Sequence, residues 1–219
     1  GVDLDAIRPD TAGTRAAATA VGPVLDHLAD LTGPLAGHLD LSRVALGGHS
    51  AGGTVALQSA SPEWVAGCLA GFAYGAHTMA ATALGWEEGS VVPLAHRTPV
   101  LLMGGTADGV IAGSADRYGA DGGAHDPIER TFEEAVPATG TNVLAMVDGA
   151  THFSFTDPLD PTTGRGFLED GDAEEPEGVR PFLAELVAAF LDRHLGDDDG
   201  PDGLDGLLDD PLVARSRRR

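Results

Sequence analysis

The stretch Gly47-Gly48-His49-Ser50-Ala51-Gly52-Gly53 constrains this chain more than any other. It lies between an apolar run, Val44-Ala45-Leu46, and a helix-like run, Thr54-Val55-Ala56-Leu57-Gln58, and it contains the pattern G-x-S-x-G. That pattern requires a sharp strand-to-helix turn that holds the serine in a strained backbone conformation, with its hydroxyl at the tip. Gly48 and Gly52 are expected on the ground that a Cβ at either place would collide as strand and helix crowd together. The helix starting there would point free backbone N–H groups at the space above Ser50, which suits an anionic intermediate. With 31 Gly in 219 residues, five-residue matches arise by chance. The apolar run before it and the helix-like run after it set this one apart.

Along the chain, Pro9-Asp10-Thr11 opens a helix-like stretch with Ala17, Ala20, Val21, Val24, Leu25 and Leu28 near helical spacing, kinked or split at Gly22-Pro23. A strand is expected over residues 44–47, then a helix to about Ser59, ended by Ser61-Pro62. Residues 65–74 read as a buried strand, residues 77–85 as a short helix, and residues 99–105, bounded by Pro and Gly, as the clearest strand. A helix around residues 127–135 and a strand over residues 142–147 follow. Residues 158–178, rich in Asp, Glu, Gly and Pro, read as a surface loop. Residues 179–195 form an amphipathic helix with Phe182, Leu183, Leu186, Val187, Phe190 and Leu191 on one face. Strands alternating with helices indicate an α/β fold, a mainly parallel sheet covered by helices on both faces. The division expected is a catalytic domain over residues 1–195 and a disordered tail, acidic then Arg-rich, over residues 196–219. Residues 197–203 hint at a calcium loop, but Pro201 occupies a ligand position and no glutamate closes it.

In such sheets ligands sit beyond the carboxyl ends of the strands, so catalytic partners should fall just after strands. A serine hydroxyl needs a base in hydrogen-bond reach and a third group to fix that base. Asp108, in Gly104-Gly105-Thr106-Ala107-Asp108-Gly109, and His152, in Gly149-Ala150-Thr151-His152-Phe153, both satisfy that condition. Asp116 and His125 compete for these roles. His49 is expected to shape the turn and the pocket floor, and His77 to line the pocket or lie at the surface. His27, His38, His96 and His194 read as surface or helix-end residues. Phe72, Tyr74, Phe153 and Phe155 wall an acyl pocket or, more commonly for aromatics, pack in the core. Cys68, in an apolar setting, fits a buried small hydrophobe.

The order Ser50, Asp108, His152 is that of α/β-hydrolases. From about residue 40 to residue 195 the chain resembles that family, in particular its dienelactone-hydrolase-like and cutinase/PET-hydrolase-like esterases, through the three blocks around Ser50, Asp108 and His152. The resemblance implies a carboxylic ester hydrolase working through an acyl-enzyme. Ser50 is the nucleophile, His152 the base, Asp108 the orienting acid, and the backbone N–H of Ala51 one oxyanion donor. No cofactor and no metal are expected, since no histidine/carboxylate cluster has metal spacing and no phosphate or dinucleotide loop occurs. The implied partner is a small-molecule or polymer ester. A net charge of −21 argues against nucleic acid and anionic membranes, and no apolar run reaches the ~20 residues that span a bilayer. The charge, with no Lys at all, fits salt adaptation or compositional drift equally well.

The chain departs from the family before Val44, where neither the usual strands nor a His-Gly loop for the second oxyanion donor is found. With the missing Met this predicts an N-terminally truncated fold whose nucleophile strand lies at or near a sheet edge, open to self-association. Loss of one oxyanion donor costs ~10²–10³ in kcat, so impaired activity is expected. Two alternatives stay open: an inactive hydrolase-like chain that binds or assembles, and a peptidase of the prolyl-oligopeptidase type.

Overall fold

The computed structural model describes residues 1–114, 127–156, 176–197 and 203–219. Val100, Leu101, Leu102 and Met103 are all buried, which consecutive residues of a strand achieve only in a sheet covered on both faces. They belong to β3 (Val100–Gly105), the middle of a five-stranded sheet in the order β1-β2-β3-β4-β5. Its neighbours are β1 (Val44–His49), β2 (Cys68–Tyr74), β4 (Val143–Val147) and β5 (Val213–Arg218). The first four run parallel, in chain order, and β5 is antiparallel to β4.

Because every parallel step goes the same way across the sheet, the connections fall on one face. There α2 (Ala51–Leu57), α3 (Gly109–Ser114) and α4 (Pro127–Arg130, widened into a π-turn over Thr131–Ala135) bring Leu57, Ile111, Ile128 and Phe132 onto Leu102 and Leu144. The other face is covered by Phe182, Leu183, Leu186 and Phe190 of the longest helix, Val179–Leu195, with Leu204 and Leu208 of the short helix Gly203–Leu208. The α/β fold is therefore present, with helices on both faces of a mostly parallel sheet.

Several expectations are corrected. The early helix is only α1 (Val21–Ala29), preceded by turns; Gly22-Pro23 lies in its first turn, where proline's missing N–H has no helical partner to lose, so the pair opens the helix instead of kinking it. Residues 77–85 contain a single 3₁₀ turn, Thr82–Leu84. His96 is buried, its Nε2 2.8 Å from the Leu57 carbonyl, and that burial lowers its pKa. Cys68 is buried, as its apolar setting suggests.

The largest correction concerns the tail, whose described part is folded. β5 gives the fully buried β4 its outer backbone partners, pairing Leu144 with Arg217 and Met146 with Arg215. Its arginines alternate across the sheet. Arg215 and Arg217 reach Glu129 on one side, and Arg218 reaches Asp205 on the other. A run of charges that reads as solvated is thus a strand with a period of two. The calcium-loop candidate lies mostly outside the described residues, as do residues 158–175 of the expected surface loop.

At the opposite edge β1 is, among the described residues, paired on one side only and is just half-buried. α1 packs Val21 and Leu25 against Val44 and Leu46 there.

Candidate active site

β1 ends in a turn that glycine makes possible. A Cβ on Gly48 would fall 2.4 Å from the Gly52 backbone, and one on Gly53 2.7 Å from the Ala76 methyl. Gly52 itself faces open space, so the close packing requires Gly48 and Gly53, not Gly52. Ser50 links β1 to α2 with φ 55° and ψ −129°, the only positive φ of a non-glycine among the described residues. Such a conformation costs of the order of 1–3 kcal/mol and persists only where its surroundings enforce it. Here Ser50 N–H donates to the Tyr74 carbonyl at 3.0 Å, and Thr54 N–H to the Ser50 carbonyl at 3.1 Å.

His152 follows β4, three strands from β1, a separation of roughly 14 Å at the usual interstrand spacing. The loop carrying it closes that gap by folding back over the strand ends. Over β3, Ala107 N–H donates to the Ala150 carbonyl at 3.0 Å, so close to Gly105 that a Cβ there would lie 1.9 Å from that oxygen. Over β2, the Tyr74 hydroxyl donates to the Thr151 carbonyl. At β1, the His49 ring bonds the His152 carbonyl at 2.8 Å.

This brings His152 to Asp108, which follows β3. His152 Nδ1 and Asp108 Oδ2 are 2.9 Å apart, both side chains nearly inaccessible. The other carboxylate oxygen, Oδ1, accepts the Ile111 N–H at 2.9 Å and so caps α3. A carboxylate accepts, so Nδ1 carries the proton and Nε2 is the basic nitrogen of His152. Asp108 is thus fixed through both oxygens and fixes the ring in turn. Ser50 is tied to the pair through its neighbour His49; among the described residues no hydrogen bond joins its own hydroxyl to His152. Catalytic contacts of this kind commonly tighten only when substrate binds. Asp116 and His125 lie outside the described residues.

Gly75, with φ 56°, is the glycine that the sequence reading missed. A Cβ on it would meet His152 Nδ1 at 2.9 Å and Asp108 Oδ2 at 3.1 Å, so the bare backbone forms the seat of the pair. Its position directly after β2 was the available signal.

His49 is not among the residues that line the cleft before Ser50, and its ring centroid lies 4.6 Å from that of His152. Burial and the neighbouring His152 lower its pKa, so at neutral pH it is uncharged, and facing a carbonyl its Nε2 carries the hydrogen. It anchors the backbone of His152. His49→Phe keeps the ring and deletes the donor; kcat for a reaction needing His152 is expected to fall roughly tenfold with KM little changed, and His49→Gln to recover part of it. Steady-state kinetics across pH checks this, since a purely structural loss would lower both variants' melting points equally. Tyr74, buried in the core, and Phe155, packed against it, stack at 5.1 Å, and neither lines the cleft before Ser50.

In front of Ser50 opens a cleft of about 480 Å³ that also touches Ala51, Thr54, Gly75 and His77. His77 lines it, its pKa lowered to about 4 by burial against a smaller opposing pull from Asp108, and so it is neutral. Its Nδ1 accepts the Met79 N–H at 3.2 Å. The first N–H groups of α2, beginning with Ala51, have no acceptor within the helix. The described residues hold no cluster of His, Cys, Asp or Glu able to bind a metal, and no helix long and apolar enough to cross a membrane. Compared with known protein families and with curated proteins, the chain matches none.

Proposed function

We propose that the chain is a serine hydrolase of α/β-hydrolase type that cleaves carboxylic esters through an acyl-enzyme. The observation that carries this reading is the buried Asp108–His152 pair, seated beside a serine held at positive φ at the strand-to-helix turn. Ser50 Oγ attacks the ester carbonyl while His152 Nε2 takes its proton; the carbonyl oxygen becomes an oxyanion facing the Ala51 N–H. The C–O bond to the alcohol then breaks, and His152 returns the proton to the departing oxygen. Water repeats the cycle on the acyl-Ser50, releasing the acid. Asp108 stabilises the charged imidazole throughout.

A fluorophosphonate probe is expected to label Ser50, and Ser50→Ala to abolish both labelling and turnover of p-nitrophenyl butyrate, a loss of about 10⁴-fold or more in kcat. Labelling that survives the substitution overturns the reading. A second reading, assembly through the outer edge of β1, draws on that strand having one partner among the described residues. The same experiment separates the two, because a chain that serves assembly alone leaves Ser50 unlabelled.

A further inference from the structure

The cleft before Ser50 has an unusual wall. Val2, Leu4 and Ile7, from the segment ahead of the sheet, line it together with Met79, Ala81 and Leu84. Val2 and Leu4 are each 53% exposed, large aliphatic side chains left half in water at the mouth. Their backbone is pinned from two directions. Asp3 N–H donates to the Ala17 carbonyl at 2.8 Å, beside Ala18, whose N–H is held by Ser59 Oγ at 2.9 Å; the Trp86 indole N–H donates to the Ile7 carbonyl at 2.7 Å. The segment is therefore a strap held at both ends that lines the cleft.

The chemistry of the lining selects the ligand. None of the described lining residues is Asp, Glu, Lys or Arg. Its polar side chains are largely occupied, with the Thr54 hydroxyl on the His77 carbonyl at 2.8 Å and Gln58 Nε2 on the Val92 carbonyl at 3.3 Å. A carboxylate on the acyl group would find no cation there, in a chain of net charge −21. An aliphatic chain loses nothing and removes the strap's side chains from water.

We propose that the strap of residues 2–7 is the acyl-chain wall of the site, taking an uncharged aliphatic acyl group of medium length and refusing acyl groups that end in a carboxylate. This deepens the serine-hydrolase reading and rests on it for the word acyl, but the binding surface is testable without catalysis. In the Ser50→Ala protein, binding of butanamide, hexanamide and octanamide, followed by calorimetry, is expected to tighten about fourfold per methylene. The monoamide of octanedioic acid, equal in length but anionic, is expected to bind at least tenfold more weakly than octanamide. Leu4→Asp, at a half-exposed position that leaves folding intact, flattens the chain-length slope; a melting curve verifies the fold, and Leu4→Ser serves if it is lost. Equal affinity along the series, tight binding of the anionic amide, or a slope unaltered by both Leu4 variants overturns the proposal. Absence of fluorophosphonate labelling in the native chain would instead remove the hydrolase reading and leave the amide series to stand by itself.

Discussion

Asp108→Asn is expected to lower kcat for ester hydrolysis by about 10³–10⁴-fold while leaving KM within a fewfold. The substitution preserves shape and the acceptor that caps α3 at the Ile111 N–H. What changes is the atom facing His152. An amide NH₂ is a donor, so it favours the imidazole tautomer with the proton on Nε2, and the nitrogen that should receive the serine proton is already occupied. Since the fold's other contacts are untouched, the melting temperature should move by only a few degrees. Steady-state kinetics beside a thermal melt checks both halves. A kcat within tenfold of the native value would mean that Asp108 does not orient the base.

Gly75→Ala gives the second large effect, through sterics. At φ 56° an alanine costs roughly 1–2 kcal/mol, or a Tm lower by about 3–6 °C for a chain this size. Its methyl must also push on His152 Nδ1 and Asp108 Oδ2, so the pair separates and kcat should fall roughly 10²-fold, the penalty of misplacing a catalytic group by about an ångström. Gly140→Ala is the control: it too has a positive φ, of 84°, but its Cβ faces open space. It should lose comparable stability and no activity. If the two variants behave alike, the backbone strain alone is responsible and Gly75 has no part in seating the pair.

Much of this arrangement was legible in the chain. The four parallel strands announced themselves as apolar runs closed by glycine, because a strand covered on both faces leaves no position for a polar side chain. The placement of Asp108 and His152 followed from the same logic, since each comes directly after such a run, where side chains project beyond the carboxyl edge. The parts that stayed hidden depend on partners distant in sequence. β5 was concealed because Arg215, Arg217 and Arg218 look solvated until Glu129 and Asp205 are placed beside them. Gly75 carried one signal, its place directly after β2, but the demand on it comes from a loop some 75 residues later that has to lie across the strand ends. The strap carried no signal of its own: Val2, Leu4 and Ile7 show no periodicity, and only the folded chain brings them to the same cleft as Met79. Gly52 was assigned a packing role that belongs to Gly53, because spacing alone does not tell which side of the first helical turn meets the strand.

The sheet's order also bears on how the molecule comes into being. Each parallel strand docks on the one synthesised just before it, so β1 to β4 can zip together as they emerge, with no element waiting for a distant mate. β4 breaks that sequence: its outer backbone stays bare until residues 213–218 arrive, after the long helix has been made. During that interval the nascent chain holds four paired strands and an unfinished flank. The arginine-rich strand then acts as the closing stitch on that flank, while the outer edge of β1 stays as it was.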